Sequence, residues 1–224
     1  MNVFITGANR GIGLGFVKHY LAQGDKVWAC YRRSPGELAE LEQADLQCIR
    51  WDVTEAAPAD GAVLPERIDL LINNAGIYGP AKSMGQGLRE VSDETMHKVF
   101  DVNCVGPLRV VQHLVDRIIA AQGVIANVSS KMGSSGDNTS GGCYAYRAAK
   151  AALVIVSKSM AMDLAPEGVR VITLHPGWVR TDMTGHSGLI DVDQSVAGMT
   201  SVIAKVDDYA PGAFIAYDGK EVPY

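Results

Sequence analysis

Cysteine is scarce in this chain of 224 residues: four stand at positions 30, 48, 104 and 143, with no Cys-x-x-Cys pair or disulfide-like cluster. That usage fits a reducing cytosol and excludes a disulfide-stapled secreted scaffold. The five histidines are scattered, so no metal site is expected. No apolar run approaches the ~20 residues that span a bilayer, which makes a membrane an unexpected partner. Residues 1–5 already read as a strand and leave no room for a signal peptide. An excess of basic charge is also missing. The formal net charge of −5 gives no reason to expect nucleic acid or an anionic membrane surface. Internal repeats, low-complexity tracts and linkers are lacking too. The expectation is one cytoplasmic domain over residues 1–224, whose 47% hydrophobic and 20% charged content suits a globular chain with a substantial core.

Short apolar runs alternate with helix-favouring segments. Strands are read at 2–6, 26–31, 46–51, 68–72, 124–128, 169–174 and 213–217, and helices at 14–23, 92–121, from 146 onward, and 193–206. This alternation means an α/β fold with a parallel sheet covered on both faces. The Ala/Pro-rich piece at 55–65 has weak helical periodicity, so that crossover is expected to be short or partly unwound. Ser92 caps the long helix, with Asp93 and Glu94 in its first turn. Pro107 interrupts that helix and predicts a kink near Asn103.

The first strand runs into TGANRGIG at 6–13 and then into a helix closed by Gly24, the setting a dinucleotide fingerprint requires. Gly7 permits a tight turn, Gly11 lets the backbone approach a pyrophosphate, and Gly13 lets the helix sit close to the sheet. The pyrophosphate would rest on the helix N-terminus, where free N–H groups and the dipole favour an anion. The spacing is G-x-x-x-G-x-G, and as a bare pattern it is also a glycine-rich turn. No Asp or Glu occurs between Val27 and Pro35 to hold a free ribose 2′-hydroxyl. Arg32 and Arg33 at the end of the second strand, with Arg10 in the glycine turn, instead suit the 2′-phosphate of NADP(H). Either of the pair alone reads equally well as a solvated arginine.

The chemistry is expected between Asn127 and Ala152. Tyr146 and Lys150 stand four apart and share a helix face. A phenol has a reference pKa of about 10. A nearby ammonium favours the phenolate and makes Tyr146 a usable general acid/base. Tyr144 is offset by six from Lys150 and falls on a different face. The serine pair at the end of the preceding strand, Ser129 and Ser130, could hold a substrate oxygen, with Ser134 and Ser135 as rivals. Tyr and Lys fall four apart by chance in many helices, so the pair alone is a weak signal.

In order along the chain, TGANRGIG, Asp52-Val53, NNAG at 73–76, Asn103, NVSS at 127–130, YRAAK at 146–150 and PGWVRT at 176–181 form a set. This set resembles the short-chain dehydrogenase/reductase family from residue 1 to about 181, with YDG at 217–219 continuing it. The string YAYRAAK and the brevity of the chain are most similar to the carbonyl-reductase branch that includes sniffer and C-factor-like proteins. The resemblance implies a Rossmann-type doubly wound parallel sheet of about seven strands. It also implies an NADP(H)-dependent oxidoreductase acting on a small carbonyl or alcohol. Tyr146 would be the acid/base, Lys150 would hold the nicotinamide ribose, Ser130 the substrate carbonyl, and Asn103 a water in a proton relay. Gly7, Asn9, Arg10, Gly11, Ile12 and Gly13 would cradle the cofactor, with Arg32 and Arg33 near its phosphate. Asp52 and Val53 would sit at the adenine, Asn74, Ala75 and Gly76 along the cofactor, and Val179 and Thr181 at the carboxamide, with Pro176 and Gly177 also binding the cofactor. The interval from Ser130 to Tyr146 is longer than the family's usual spacing, the excess lying in GSSGDNTSGG. Substrate walls should come from 77–91, 131–145 and 182–200, where the residues carry no readable code, and the short 182–192 loop suggests an open site. Ala145 to Val156 is apolar nearly all round, which with the resemblance implies a homodimer or homotetramer. A dinucleotide-binding sensor that has lost turnover is the rival reading, and the intact Asn103–Ser130–Tyr146–Lys150 set argues against it.

Overall fold

The computed structural model describes residues 1–41, 43–80 and 86–224. Among these, seven strands form one sheet in the order β3-β2-β1-β4-β5-β6-β7. They are β1 (Asn2–Ile5), β2 (Lys26–Tyr31), β3 (Leu46–Arg50), β4 (Leu70–Asn73), β5 (Val124–Val128), β6 (Arg170–His175) and β7 (Phe214–Ala216). Every pairing is parallel, as crossover helices on both faces demand. The helices are α1 (Gly11–Ala22), α2 (Asp93–Phe100), α3 (Gly106–Ala121), α4 (Tyr144–Leu164) and α5 (Val192–Ala204). No described helix is long and apolar enough to cross a membrane.

Period-two alternation sends successive strand residues into two separate cores. Val3, Ile5, Val27 and Ala29 pack with Phe16 of α1 and Met199 of α5 on one face. Phe4, Trp28 and Cys30 enter the other, with Leu114 of α3 and Met160 of α4. Because the strands are covered on both sides, they read as continuous apolar runs. Several boundaries shift from the sequence reading by one to three residues. The largest helical shift is at the glycine turn, where α1 begins at Gly11, as soon as the last left-handed glycine has turned the chain.

Two irregular features follow from composition. Between β3 and β4 the described residues 51–69 form turns and no helix, as the weak periodicity at 55–65 predicted. Between α2 and α3, residues Asp101–Val105 wind as a π-helical turn, with Gly106 N–H reaching back to the Asp101 carbonyl. Pro107 has no N–H to return to the Asn103 carbonyl, so the α-helical ladder breaks at Asn103. The wider winding absorbs the break and turns the buried Asn103 toward the sheet. Ser92 accepts the Thr95 N–H at 3.2 Å as the expected cap.

Candidate active site

A cavity of about 380 Å³ opens at the carboxyl edge of the sheet, lined by the loops that follow β1 and β4. Here the strand order reverses direction, the place where open α/β sheets take ligands. Gly7 (φ 63°) and Gly11 (φ 52°) adopt the left-handed conformation that favours glycine. A Cβ on Gly13 would overlap the Gly7 carbonyl, so only glycine lets α1 start this close to the turn. Asn74 holds the turn from the other side. Its amide donates to the carbonyls of Gly7 (3.0 Å) and Thr6 (3.2 Å). The Thr6 hydroxyl in turn accepts the Asn74 and Ala75 N–H groups, each at 3.1 Å. At the start of α1 the N-cap Arg10 makes no side-chain capping hydrogen bond, and no acid stands in the first turn. These amide donors therefore lack a side-chain acceptor and suit an anion.

Asn9, Arg10, Ile12, Arg32, Asp52, Val53, Ala75 and Thr181 also line this cavity. Arg33 does not; with Arg32 it borders the neighbouring space beside α2, and the third arginine on this lining, beside Arg10 and Arg32, is Arg180. Arg10 is drawn to Asp182 at 3.0 Å, and Arg32 stands 4.0 Å from Asp52. Carboxylates are not absent either. Glu37, just past the stretch that lacks them, lines the cavity and pairs with Lys18 at 3.5 Å. Pro176, Gly177 and Val179 stand back from the lining. Pro176 accepts the Ser195 hydroxyl at 2.6 Å, Gly177 turns left-handed against Tyr217, and buried Val179 pairs with Ile190.

Gly76 is the junction to a buried polar cluster. A Cβ there would lie 3.1 Å from Asn103 Oδ1 and 3.6 Å from Lys150 Nζ. Asn103 grips the Ile77 backbone with its side chain, accepting the N–H and donating to the carbonyl, both at 2.8 Å. The amide keeps a second Nδ2 hydrogen beyond that pair of bonds. Lys150 Nζ donates to the Val128 carbonyl at 2.8 Å, and the Ser129 hydroxyl donates to the Lys150 carbonyl at 2.8 Å. The serine rivals separate on these bonds. Ser129 is committed to α4, Ser134 accepts the Asp137 N–H, Ser135 is exposed, and Ser130 accepts the Met132 N–H at 3.2 Å while its hydroxyl draws the Tyr146 pKa down. Tyr144 points outward and is 40% exposed.

Burial dominates the electrostatics. It pushes the Tyr146 phenol up to about 12, against the pull of Ser130's hydrogen bond. The sequence reading expected Lys150 to lower that phenol. Instead the ammonium sits 5.9 Å from the ring centroid and is anchored on a carbonyl. Burial drives Lys150 itself down to about 8, with Cys104 opposing. Three neighbours of Tyr146 carried no sequence signal. Tyr78 lies with its ring centroid 5.0 Å away, Cys143 Sγ and the Tyr78 hydroxyl share a hydrogen bond at 2.8 Å, and Gln86 accepts the Tyr146 N–H at 3.1 Å. Of the expected substrate walls, residues 81–85 lie outside the described residues, and Tyr78 and Gln86 stand against Tyr146. The 182–192 segment is tighter than expected, with Thr184 and Thr181 capping one another. Among the described residues no group of three metal-ligating side chains occurs.

The family model of the short chain dehydrogenases matches residues 1–189. The C-signal protein of Myxococcus xanthus is 42% identical over 160 residues, spanning 70% of this chain and 93% of that one. The NADPH-bound carbonyl reductase from chicken fatty liver superposes with a TM-score of 0.90 at 32% identity, covering 100% and 98% of the two chains. The carbonyl reductase Sniffer of D. melanogaster gives 0.90 at 29% identity, covering 100% and 99%. The chain belongs to the short-chain dehydrogenase family of oxidoreductases. Within it, the similarity falls on the carbonyl-reductase branch.

At the end of β6, His175 accepts the Lys131 N–H through Nδ1 at 3.2 Å, which requires a neutral ring. Burial first, then Lys131, lowers its pKa from 6.5 to about 4, with Asp218 and Asp137 opposing. Between these values the unfolded chain binds the extra proton, so stability is held above pH 6.5 and lost as the pH falls toward 4. Urea unfolding across that window should show a shallower loss for His175→Asn than for the unmodified chain; equal slopes would contradict the assignment.

Proposed function

We propose that the chain is an NADP(H)-dependent carbonyl reductase that interconverts a small aldehyde or ketone and its alcohol. The observation that carries this is the contact through Gly76 between the glycine-turn cavity and the buried Tyr146–Lys150–Ser130–Asn103 cluster. The cavity fits a dinucleotide: left-handed glycines bring the backbone close, and the amides at the start of α1 lack a side-chain acceptor. Arg10 and Arg32 on its wall suit a 2′-phosphate. NADPH bound there supplies a hydride from C4 of its nicotinamide. NADP or NADPH is bound in the solved structure of the chicken carbonyl reductase and in that of a short-chain dehydrogenase/reductase from Burkholderia multivorans.

Ser130 holds the carbonyl oxygen and the Tyr146 phenol gives it a proton. A phenol pushed up to about 12 stays protonated near neutrality, the state a donor needs. Once the proton has left, the Lys150 ammonium, 5.9 Å from the ring centroid, favours the phenolate. Lys150 also reaches toward Gly76, where it would meet a ribose. Asn103 fixes Ile77, and hence Gly76, between cavity and cluster. Positioning and proton delivery are the protein's share of the reaction.

Tyr146→Phe removes only the hydroxyl, so turnover should be abolished while NADPH binding is kept. Lys150→Ala should weaken both. A Phe variant that reduces carbonyls within a few-fold of the unmodified chain would exclude Tyr146 as the proton donor.

Charge-assisted hydrogen bonds contribute roughly 1.5–3 kcal/mol each. One or two on a 2′-phosphate imply at least about a tenfold preference for NADPH over NADH. Arg32→Asp should erase it by replacing an attraction with a repulsion. Equal dissociation constants for the two cofactors at low salt, where the effect is largest, would count against the reading.

The outer face of α4 exposes Ile155 (59%) and Met162 (58%) beside Ala148, and self-association through it belongs to the same proposal. Light scattering at micromolar protein should give a multimer mass, and a monomer mass would reject it.

A further inference from the structure

The helix that carries Tyr146 and Lys150 begins without a cap of its own. Cys143, at the N-cap, is left-handed (φ 51°) and its side chain makes no capping hydrogen bond. The first amides of α4 therefore need an acceptor from elsewhere. Gln86, some sixty residues earlier, supplies it. Its Oε1 accepts the Tyr146 N–H at 3.1 Å, and its backbone carbonyl accepts the Tyr144 N–H at 3.3 Å. Its Nε2 donates to the Tyr78 carbonyl at 2.6 Å. Gln86 is 4% exposed, and a Cβ on Gly79 would come within 2.7 Å of Nε2. The amide has one workable orientation, because a flipped one would set NH₂ against N–H and oxygen against carbonyl.

We propose that Gln86 is a positioning residue for the acid/base Tyr146, capping α4 from outside and locking it to Tyr78. Tyr78 is also tied to the helix start through its hydroxyl on Cys143 at 2.8 Å, and its ring faces Tyr146. The segment that forms one wall beside the phenol thus moves with the phenol. Glutamine suits the task because one side chain must accept from an amide and donate to a carbonyl.

This inference rests on the carbonyl-reductase reading and is tested separately from it. Gln86→Met keeps length and volume but removes both side-chain bonds. It should lower kcat about tenfold while the NADPH dissociation constant stays within about twofold. Amide exchange at 144–146 should quicken, with the interior of α4 still protected. Gln86→Glu, which keeps the acceptor for Tyr146, should fall between the two and carries the test if the Met variant does not fold. A folded Met variant with unchanged kcat would overturn the proposal. So would a parallel loss of cofactor affinity and of protection along all of α4, which would mark Gln86 as a general structural residue. Failure of the unmodified chain to reduce any carbonyl would instead sink the activity assignment.

Discussion

A buried ammonium organises the chemistry of this fold. Lys150 sits 4% exposed in the second turn of α4, and its charge is tolerated because the last carbonyl of β5 points at it. The Val128–Lys150 bond and the return bond from Ser129 to the Lys150 carbonyl staple strand to helix within one helical turn. Removing either partner would leave a buried polar group without compensation. Two glycines make the staple sterically possible. A Cβ on Gly133 would press to 2.6 Å of the Lys150 backbone, and Gly76 leaves space in front of Nζ. Ser130 and Tyr146 are carried by the two stapled elements, so their mutual placement follows from it.

The same edge of the sheet holds the glycine turn, and the two halves meet through short polar residues rather than apolar packing. Asn74 grips the turn after β1, and Asn103 grips Ile77. Both are amides presenting a donor and an acceptor to backbone, which lets irregular chain stay satisfied while buried. The broken helix at Pro107 is part of this arrangement, because the π turn it imposes is where Asn103 sits.

Much of this could be read from residues alone, for stated physical reasons. Strands buried on both faces give unbroken apolar runs, so β2 and β5 emerge with their observed ends. Pro107 cannot complete a hydrogen-bond ladder, and the irregular winding appears next to it. Glycines flag the turn because other residues would be strained there. What was not readable depends on three-dimensional proximity. Gln86 and Tyr78 lie in a segment without periodicity, and their value arises from where the chain returns to α4. Glu37 lies beyond the strand end but curls back onto the cavity, and Arg33 turns away from it. The phenol's direction was also misjudged: sequence spacing places Lys150 near Tyr146 but does not reveal how deeply both are buried, and burial outweighs the ammonium.

The proposed hydride delivery from the glycine-turn cavity to a carbonyl held beside Tyr146 is the step on which the residue roles depend. Incubating the unmodified chain with NADPH deuterated at C4 and a panel of aldehydes and ketones tests this most directly. The expected result is an alcohol carrying the deuterium on its carbinol carbon. Tight NADPH binding with no labelled alcohol from any carbonyl would contradict it.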